Sequence, residues 1–296
     1  MDHTTPLELF EPQIIREKVE TRGMTQDGTP WSVHNGVAID ILRKFEKDSI
    51  NCCVTSPPYY WLRDYGVENQ IGLENTVAEY VNAIADTMDE VYRTLQPSGL
   101  LFLNLGDTYY SGKGEAQGKD RKSNKRRFGL RAVDKSGGLG IGVQRKSMIG
   151  IPWRVAIEMA QRGWILRSSI IWHRKKALPE FVRDRPRRSY EFVFMFANSR
   201  FYYFDRGPLV KDNVDEDVWT IMPRAKAANG IDTAPFPDEL VERCLEIGCP
   251  PNGSVLDPFA GSGTTLRVAA TSGRPATGIE LNSDFCLHIV KELAKL

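Results

Sequence analysis

Two short stretches, far apart in the chain, hold residue types that could do chemistry together. The first is Thr55-Ser56-Pro57-Pro58-Tyr59-Tyr60. It follows Ile50-Asn51-Cys52-Cys53-Val54, an apolar run of strand length and strand-like composition. Prolines donate no backbone hydrogen bond, so two in a row cannot continue a central strand. The strand therefore stops and leaves Ser56 at its carboxyl end, the edge where open α/β sheets bind ligands. The stiff turn can aim the Ser56 hydroxyl and the Ser56 and Pro57 carbonyls at one point, and all three accept hydrogen bonds. With the Tyr59 ring beside them, they suit an exocyclic amine on a flipped nucleobase. A proline turn without chemistry is satisfied by the same residues.

The second stretch, Ser254-Val255-Leu256-Asp257-Pro258-Phe259-Ala260-Gly261-Ser262-Gly263-Thr264-Thr265, reads as strand, glycine loop and helix. Gly261 and Gly263 let a ligand approach the backbone closely. A further strand, Ala276-Thr277-Gly278-Ile279, delivers Glu280 roughly 20 residues beyond the loop, where an acidic residue meets ribose hydroxyls. No Lys-Ser/Thr follows the glycines, and Leu266 stands where a dinucleotide fingerprint has its third glycine. An adenosine-containing ligand without a pyrophosphate fits better than a phosphate loop, and S-adenosylmethionine is one.

Together, Asp257-Pro258-Phe259-Ala260-Gly261-Ser262-Gly263-Thr264-Thr265 and Thr55-Ser56-Pro57-Pro58-Tyr59 resemble the cofactor and catalytic motifs of DNA amino-methyltransferases. Their order, catalytic motif first, is that of the circularly permuted β group. Serine at the head of the motif resembles the cytosine-N4 enzymes. The resemblance implies a Rossmann-like α/β methyltransferase sheet, mostly parallel with an antiparallel hairpin. It implies Ser56, Pro57, Pro58 and Tyr59 as catalytic. Thr55, Phe236, Asp257, Pro258, Phe259, Gly261, Ser262, Gly263, Thr264 and Glu280 are implied as cofactor-binding, with S-adenosyl-L-methionine as the cofactor and no metal. The implied substrate is double-stranded DNA. The likeness leaves room for a cognate restriction endonuclease and for a homodimer. Adenine-N6 methylation, an RNA substrate and a catalytically silent nucleic-acid-binding module remain alternatives. Three positions depart from the family pattern: Val37 replaces an Asp after Gly36, Tyr190 replaces a His before Glu191, and Asp232 replaces a His four residues before Phe236.

The elements that must position these residues can be read from periodicity. Trp31-Ser32-Val33-His34 is a strand, and a helix runs through Ile39, Leu42 and Phe45. A longer helix carries Val77, Tyr80, Val81, Ile84, Met88, Val91 and Leu95, ends at Pro97-Ser98-Gly99, and precedes a strand from Leu100 to Leu105. That strand leads to Asp107, either a contact for the base or the extruded strand, or a helix or loop cap. Ile151 and Pro152 open a helix, and Ile165 to Trp172 is a strand. Phe192–Phe196 and Phe201–Phe204 read as a hairpin, and a helix starts near Asp238. Residues 1–30 read as an arm of uncertain order, with the whole chain, 1–296, one catalytic domain.

Composition narrows the classes. Apolar residues are 41% and charged residues 26%, ordinary for a globular protein. There is no long apolar stretch and no basic-then-apolar leader pattern, which predicts a cytoplasmic, DNA-associated protein without a membrane anchor. Five cysteines lack zinc or disulfide spacing. Net charge is only +1, yet eleven Lys or Arg face three acidic residues between Lys113 and Lys146. Nine face two between Arg162 and Arg188. Such patches predict a polyanionic partner, with 111–147 as an inserted loop that contacts DNA and recognises the target.

Overall fold

In the computed structural model the described residues are 20–62, 64–110, 143–175, 182–211, 216–223 and 236–296. Most of the 111–147 segment, and Asp232, lie outside them. The elements in chain order begin with β1 (Glu20–Met24), β2 (Pro30–Asn35), α1 (Ala38–Leu42) and β3 (Ile50–Thr55). Next come α2 (Val77–Thr94), β4 (Leu95–Leu105), α3 (Ile151–Gln161), β5 (Ile165–Arg174) and β6 (Tyr190–Ala197). The chain continues with α4 (Gly207–Lys211), β7 (Val218–Ile221), α5 (Asp238–Gly248), β8 (Val255–Asp257), α6 (Thr264–Thr271), β9 (Ala276–Glu280) and α7 (Ser283–Leu293).

Among the described residues, nine strands form one sheet in the order β1-β2-β9-β8-β3-β4-β6-β5-β7. The run from β2 through β4 is parallel. β6 is antiparallel to both of its neighbours, β4 and β5. The strands from the two ends of the chain therefore meet at the centre, with β3 directly beside β8. Helices cover both faces, as parallel strands require. Alternation along β4 sends Leu101, Leu103 and Leu105 into the core under α1, α2 and α3. Leu100 and Phe102 face the core under α5, α6 and α7. Neighbouring Cys52 and Cys53 split between the same two cores, as period-two geometry dictates.

The helix ends follow local chemistry. Thr76 and Glu79 form a reciprocal capping box at the start of α2. At α3, Gly150 has φ +78 and brings no side-chain cap. The Asp107 carboxylate takes that place, accepting from Gly150 N and Ile151 N at 3.1 Å. Of its two readings, the cap is the one the structure supports.

Two expectations are corrected. Phe201–Phe204 is not a strand. Both edges of β6 are filled by β4 and β5, so no edge remains for a hairpin partner. The segment instead crosses the sheet end, with Tyr203 N donating to Ser98 O and Asp205 N to Ile247 O. Residues 20–24, part of the arm whose order the sequence left open, form β1 against β2. Their own pattern is weak, and the pairing comes from β2, whose Trp31 ring packs where a Cβ on Gly23 would stand. Strand β4 also starts earlier than expected, at Leu95, carrying Pro97 through an irregular register opposite Ile50 and Cys52.

Candidate active site

A cavity of about 180 Å³ opens at the carboxyl ends of β3, β8 and β9. Both motifs line it: Ser56, Pro57, Pro58 and Tyr59 from one, and Asp257, Pro258, Phe259, Gly261, Ser262, Thr264 and Glu280 from the other. Phe236 and Val37 line it as well, and Leu62 and Tyr65 contribute a further wall. Two expected contacts, Thr55 and Gly263, do not reach the cavity surface.

Both of these act from behind. Thr55 is fully buried, and its hydroxyl donates to Asp257 Oδ1 at 2.6 Å. Asp257 Oδ1 also accepts from Phe259 N at 3.1 Å, and Oδ2 accepts from the Thr265 hydroxyl at 2.7 Å. One buried carboxylate thus clips the end of β3 to the end of β8 and to the first turn of α6, across 202 residues of sequence. Burial pushes the Asp257 carboxyl up to about 6, against the lowering pull of Thr55 and Thr265. Gly263 has φ +82 as the residue before α6, and a Cβ there would stand 2.9 Å from Ile289 on α7. Its glycine serves backbone conformation and helix packing.

Glu280 closes the cofactor side. Its Oε2 accepts from Gly261 N at 2.7 Å and its Oε1 from Asn282 N at 2.8 Å, so the carboxylate holds the glycine loop in shape. Burial pushes this group up to about 7 despite the two amides. Free lone pairs remain on both oxygens. Ser262 Oγ is buried with no partner among the described residues. A buried hydroxyl without a partner is costly, and this one lies on the cavity wall.

On the other side, the Tyr59 hydroxyl lies 3.5 Å from Ser56 Oγ, 2.6 Å from Glu191 Oε2 and 3.1 Å from Asn104 Oδ1. The tyrosine ring lies against Gly106, where an added Cβ would come within 2.5 Å of Cε2. Arg174 Nη1 donates to Glu191 Oε1 at 2.8 Å. Burial, then the negative Glu191, hold the Tyr59 phenol well above its ordinary value. Sequence reasoning tied neither Asn104 nor Arg174 to Tyr59, and mentioned Glu191 only for the residue before it. One signal was present: Asn104 is a lone amide inside the apolar run Leu100–Leu105, and such a group must be hydrogen-bonded when buried.

The arrangement combines a turn of acceptors with a cradle suited to a nucleoside. The DNA methylase family model, covering N6 and N4 methyltransferases, matches residues 50–292. The Type II methyltransferase M.XycI of Xanthomonas campestris pv. cyanopsidis is 39% identical over 289 residues, covering 96% of this chain and 92% of its own. M.Cfr9I of Citrobacter freundii, also a Type II methyltransferase, is 38% identical, covering 91% of this chain and 87% of its own. Among solved structures, PvuII DNA methyltransferase (cytosine-N4-specific) superposes with a TM-score of 0.67 at 20% identity, covering 88% of this chain and 86% of that one. A DNA modification methylase from Thermus thermophilus, solved in complex with S-adenosyl-L-methionine, gives 0.58 at 23% identity, with 88% and 93% covered. The fold shared with these structures is that of S-adenosylmethionine-dependent methyltransferases. The chain belongs to the DNA methylase family of N6 and N4 methyltransferases.

Proposed function

We propose that the protein transfers a methyl group from S-adenosylmethionine to the N4 amine of a cytosine flipped out of double-stranded DNA. In this reading it is a circularly permuted β-group enzyme with Thr55–Tyr59 as its catalytic motif. The observation that carries the proposal is that Ser56 and its proline turn open into the same cavity as the glycine loop and Glu280. Serine rather than aspartate at the head of the motif favours cytosine.

The residues present fit the cofactor. Ser262 Oγ is a buried hydroxyl in want of a partner. Glu280 keeps lone pairs for ribose hydroxyls, and Phe236 offers an apolar wall. When bound, S-adenosylmethionine supplies an electrophilic methyl on a sulfonium. Cytosine N4 is a poor nucleophile because its lone pair is delocalised into the ring. Ser56 Oγ and a neighbouring carbonyl accept the amine hydrogens, which favours a pyramidal nitrogen and returns density to it. The rest of the barrier falls by alignment and exclusion of water. Transfer leaves the amine nitrogen briefly cationic and hence acidic, so its extra proton leaves to solvent and the site needs no strong base.

DNA would be held at the same edge of the sheet. Arg183 and Arg187 are exposed there, and Arg185 and Arg188 lie 3.8 and 5.5 Å from the centre of the Tyr109 ring. Such cations bind phosphates and supply affinity without sequence choice. The 111–147 segment is proposed as the further DNA-contacting loop. The Type II names of the relatives support a cognate restriction endonuclease as partner.

Incubation with S-adenosylmethionine and unmethylated DNA, followed by nucleoside digestion and mass spectrometry, tests this. N4-methylcytosine is the expected product. N6-methyladenine would overturn the base assignment while keeping the site, and an absence of any methylated base would overturn the proposal.

A further inference from the structure

Two side chains reach the Tyr59 hydroxyl and a third holds one of them, all from three adjacent strands, and neither motif accounts for them. Asn104 lies on β4, Arg174 on β5 and Glu191 on β6. A tyrosine hydroxyl has one hydrogen to give. Glu191 Oε2, at 2.6 Å, has none to offer and is the shorter contact. Asn104 Nδ2 is committed to the Phe192 carbonyl at 3.0 Å, so Asn104 Oδ1 is the atom that faces Tyr59. Both neighbours are therefore acceptors, and the Tyr59 proton must point toward them. Its lone pairs are left for Ser56, whose Oγ lies 3.5 Å away. Catalytic hydrogen bonds are often this long before substrate binds and tighten afterwards.

This direction matters because a serine hydroxyl is both donor and acceptor. To accept hydrogens from an amine, Ser56 must send its own proton elsewhere. We propose that Glu191, held by Arg174, is a positioning residue that polarises the chain Ser56 to Tyr59 to Glu191, so that Ser56 Oγ meets the substrate amine as an acceptor. Arg174 fixes the far carboxylate oxygen at 2.8 Å, and both side chains are largely buried, 24% and 13% exposed. Gly106 leaves the space that the Tyr59 ring occupies. The inference rests on the amino-methyltransferase function proposed above, for whichever base amine is methylated.

The test is a double-mutant cycle read by single-turnover methyl transfer, with cofactor affinity measured by calorimetry. Glu191→Gln introduces a donor where the chain needs an acceptor. It should slow transfer about 10- to 100-fold, the worth of one charge-assisted hydrogen bond, and leave cofactor affinity unchanged. On a Ser56→Ala background the same change should cost less than about 2-fold, because no serine proton remains to direct. Tyr59→Phe cuts the chain without altering charge and should likewise make Glu191→Gln nearly silent. It carries the cycle with Ser56→Ala if Glu191→Gln does not fold. Additive losses, or a Glu191→Gln enzyme with wild-type rate, would overturn the relay while leaving the function standing. A wild type that methylates no base would overturn the function, and the relay with it.

Discussion

The two sides of the cavity are built on different principles. The cofactor side is a backbone loop, Gly261 with φ +55 and Gly263 with φ +82, held in shape by two carboxylates: Asp257 accepts from one amide and two hydroxyls, and Glu280 accepts from two amides. The base side presents Ser56 and Tyr59 from the turn after β3, backed by side chains from three strands in the chain Ser56, Tyr59, Glu191, Arg174, with Asn104 beside it. A backbone cradle is local in sequence and fixes where a ligand sits. A side-chain chain is long-range and fixes which way a proton points. The first suits binding, and the second suits chemistry.

Asp257 serves both sides, so its loss should break the comparison altogether. Asp257→Ala leaves the Thr55 hydroxyl and Phe259 N without their acceptor, while the Thr265 hydroxyl keeps Val54 O at 3.2 Å. At roughly 1–3 kcal/mol per unpaired group, partly relieved by relaxation, a loss of about 3 kcal/mol in unfolding free energy is expected. Chemical denaturation should show it, together with loss of both cofactor binding and transfer. Gly263→Ala should cost less, about 1–3 kcal/mol, from left-handed strain and the clash with Ile289. Since Gly263 does not line the cavity, its thermal midpoint should fall while saturated turnover stays close to wild type.

Phe236→Ala removes one apolar wall of the cofactor side alone. It should weaken cofactor affinity about 10-fold by calorimetry, the scale of an aromatic side chain's partial burial, and leave the saturated single-turnover rate nearly intact. The smallest effect is a pH dependence. Burial raises Glu280 to about 7 in the folded chain, above its ordinary 4.5. The folded state then binds the proton more tightly, so this group's contribution to stability is full below about 4.5 and is lost as pH rises through about 7. Cofactor binding has the opposite sign, since ribose hydroxyls favour the charged acceptor. Affinity should fall as pH drops through 7, and Glu280→Gln should flatten that slope in a calorimetric titration.

This contrast also explains what the sequence made legible. The cofactor side could be read because glycines, Asp257 and Glu280 lie in one strand-loop-helix-strand run whose spacing is set by local geometry. The meeting of that run with Ser56 followed from both lying at carboxyl strand ends. Glu191 and Arg174 were not legible as partners of Tyr59, because their proximity depends on β6 pairing with both β4 and β5. The same pairing defeated the hairpin expected at Phe201–Phe204. Thr55 and Gly263 were placed in the site by their motifs, yet they work one layer behind it, a distinction that burial reveals and residue type does not. Residues 20–24 became a strand through the partner they found, with only weak periodicity of their own.

The division of labour itself is tested most directly by Ser56→Ala, with cofactor affinity and the single-turnover transfer rate measured on the same preparation. A transfer rate lowered about 100-fold beside an unchanged cofactor dissociation constant is the predicted result. Weakened cofactor binding with an undiminished transfer rate at saturation would contradict it, and would move Ser56 to the binding side of the cavity.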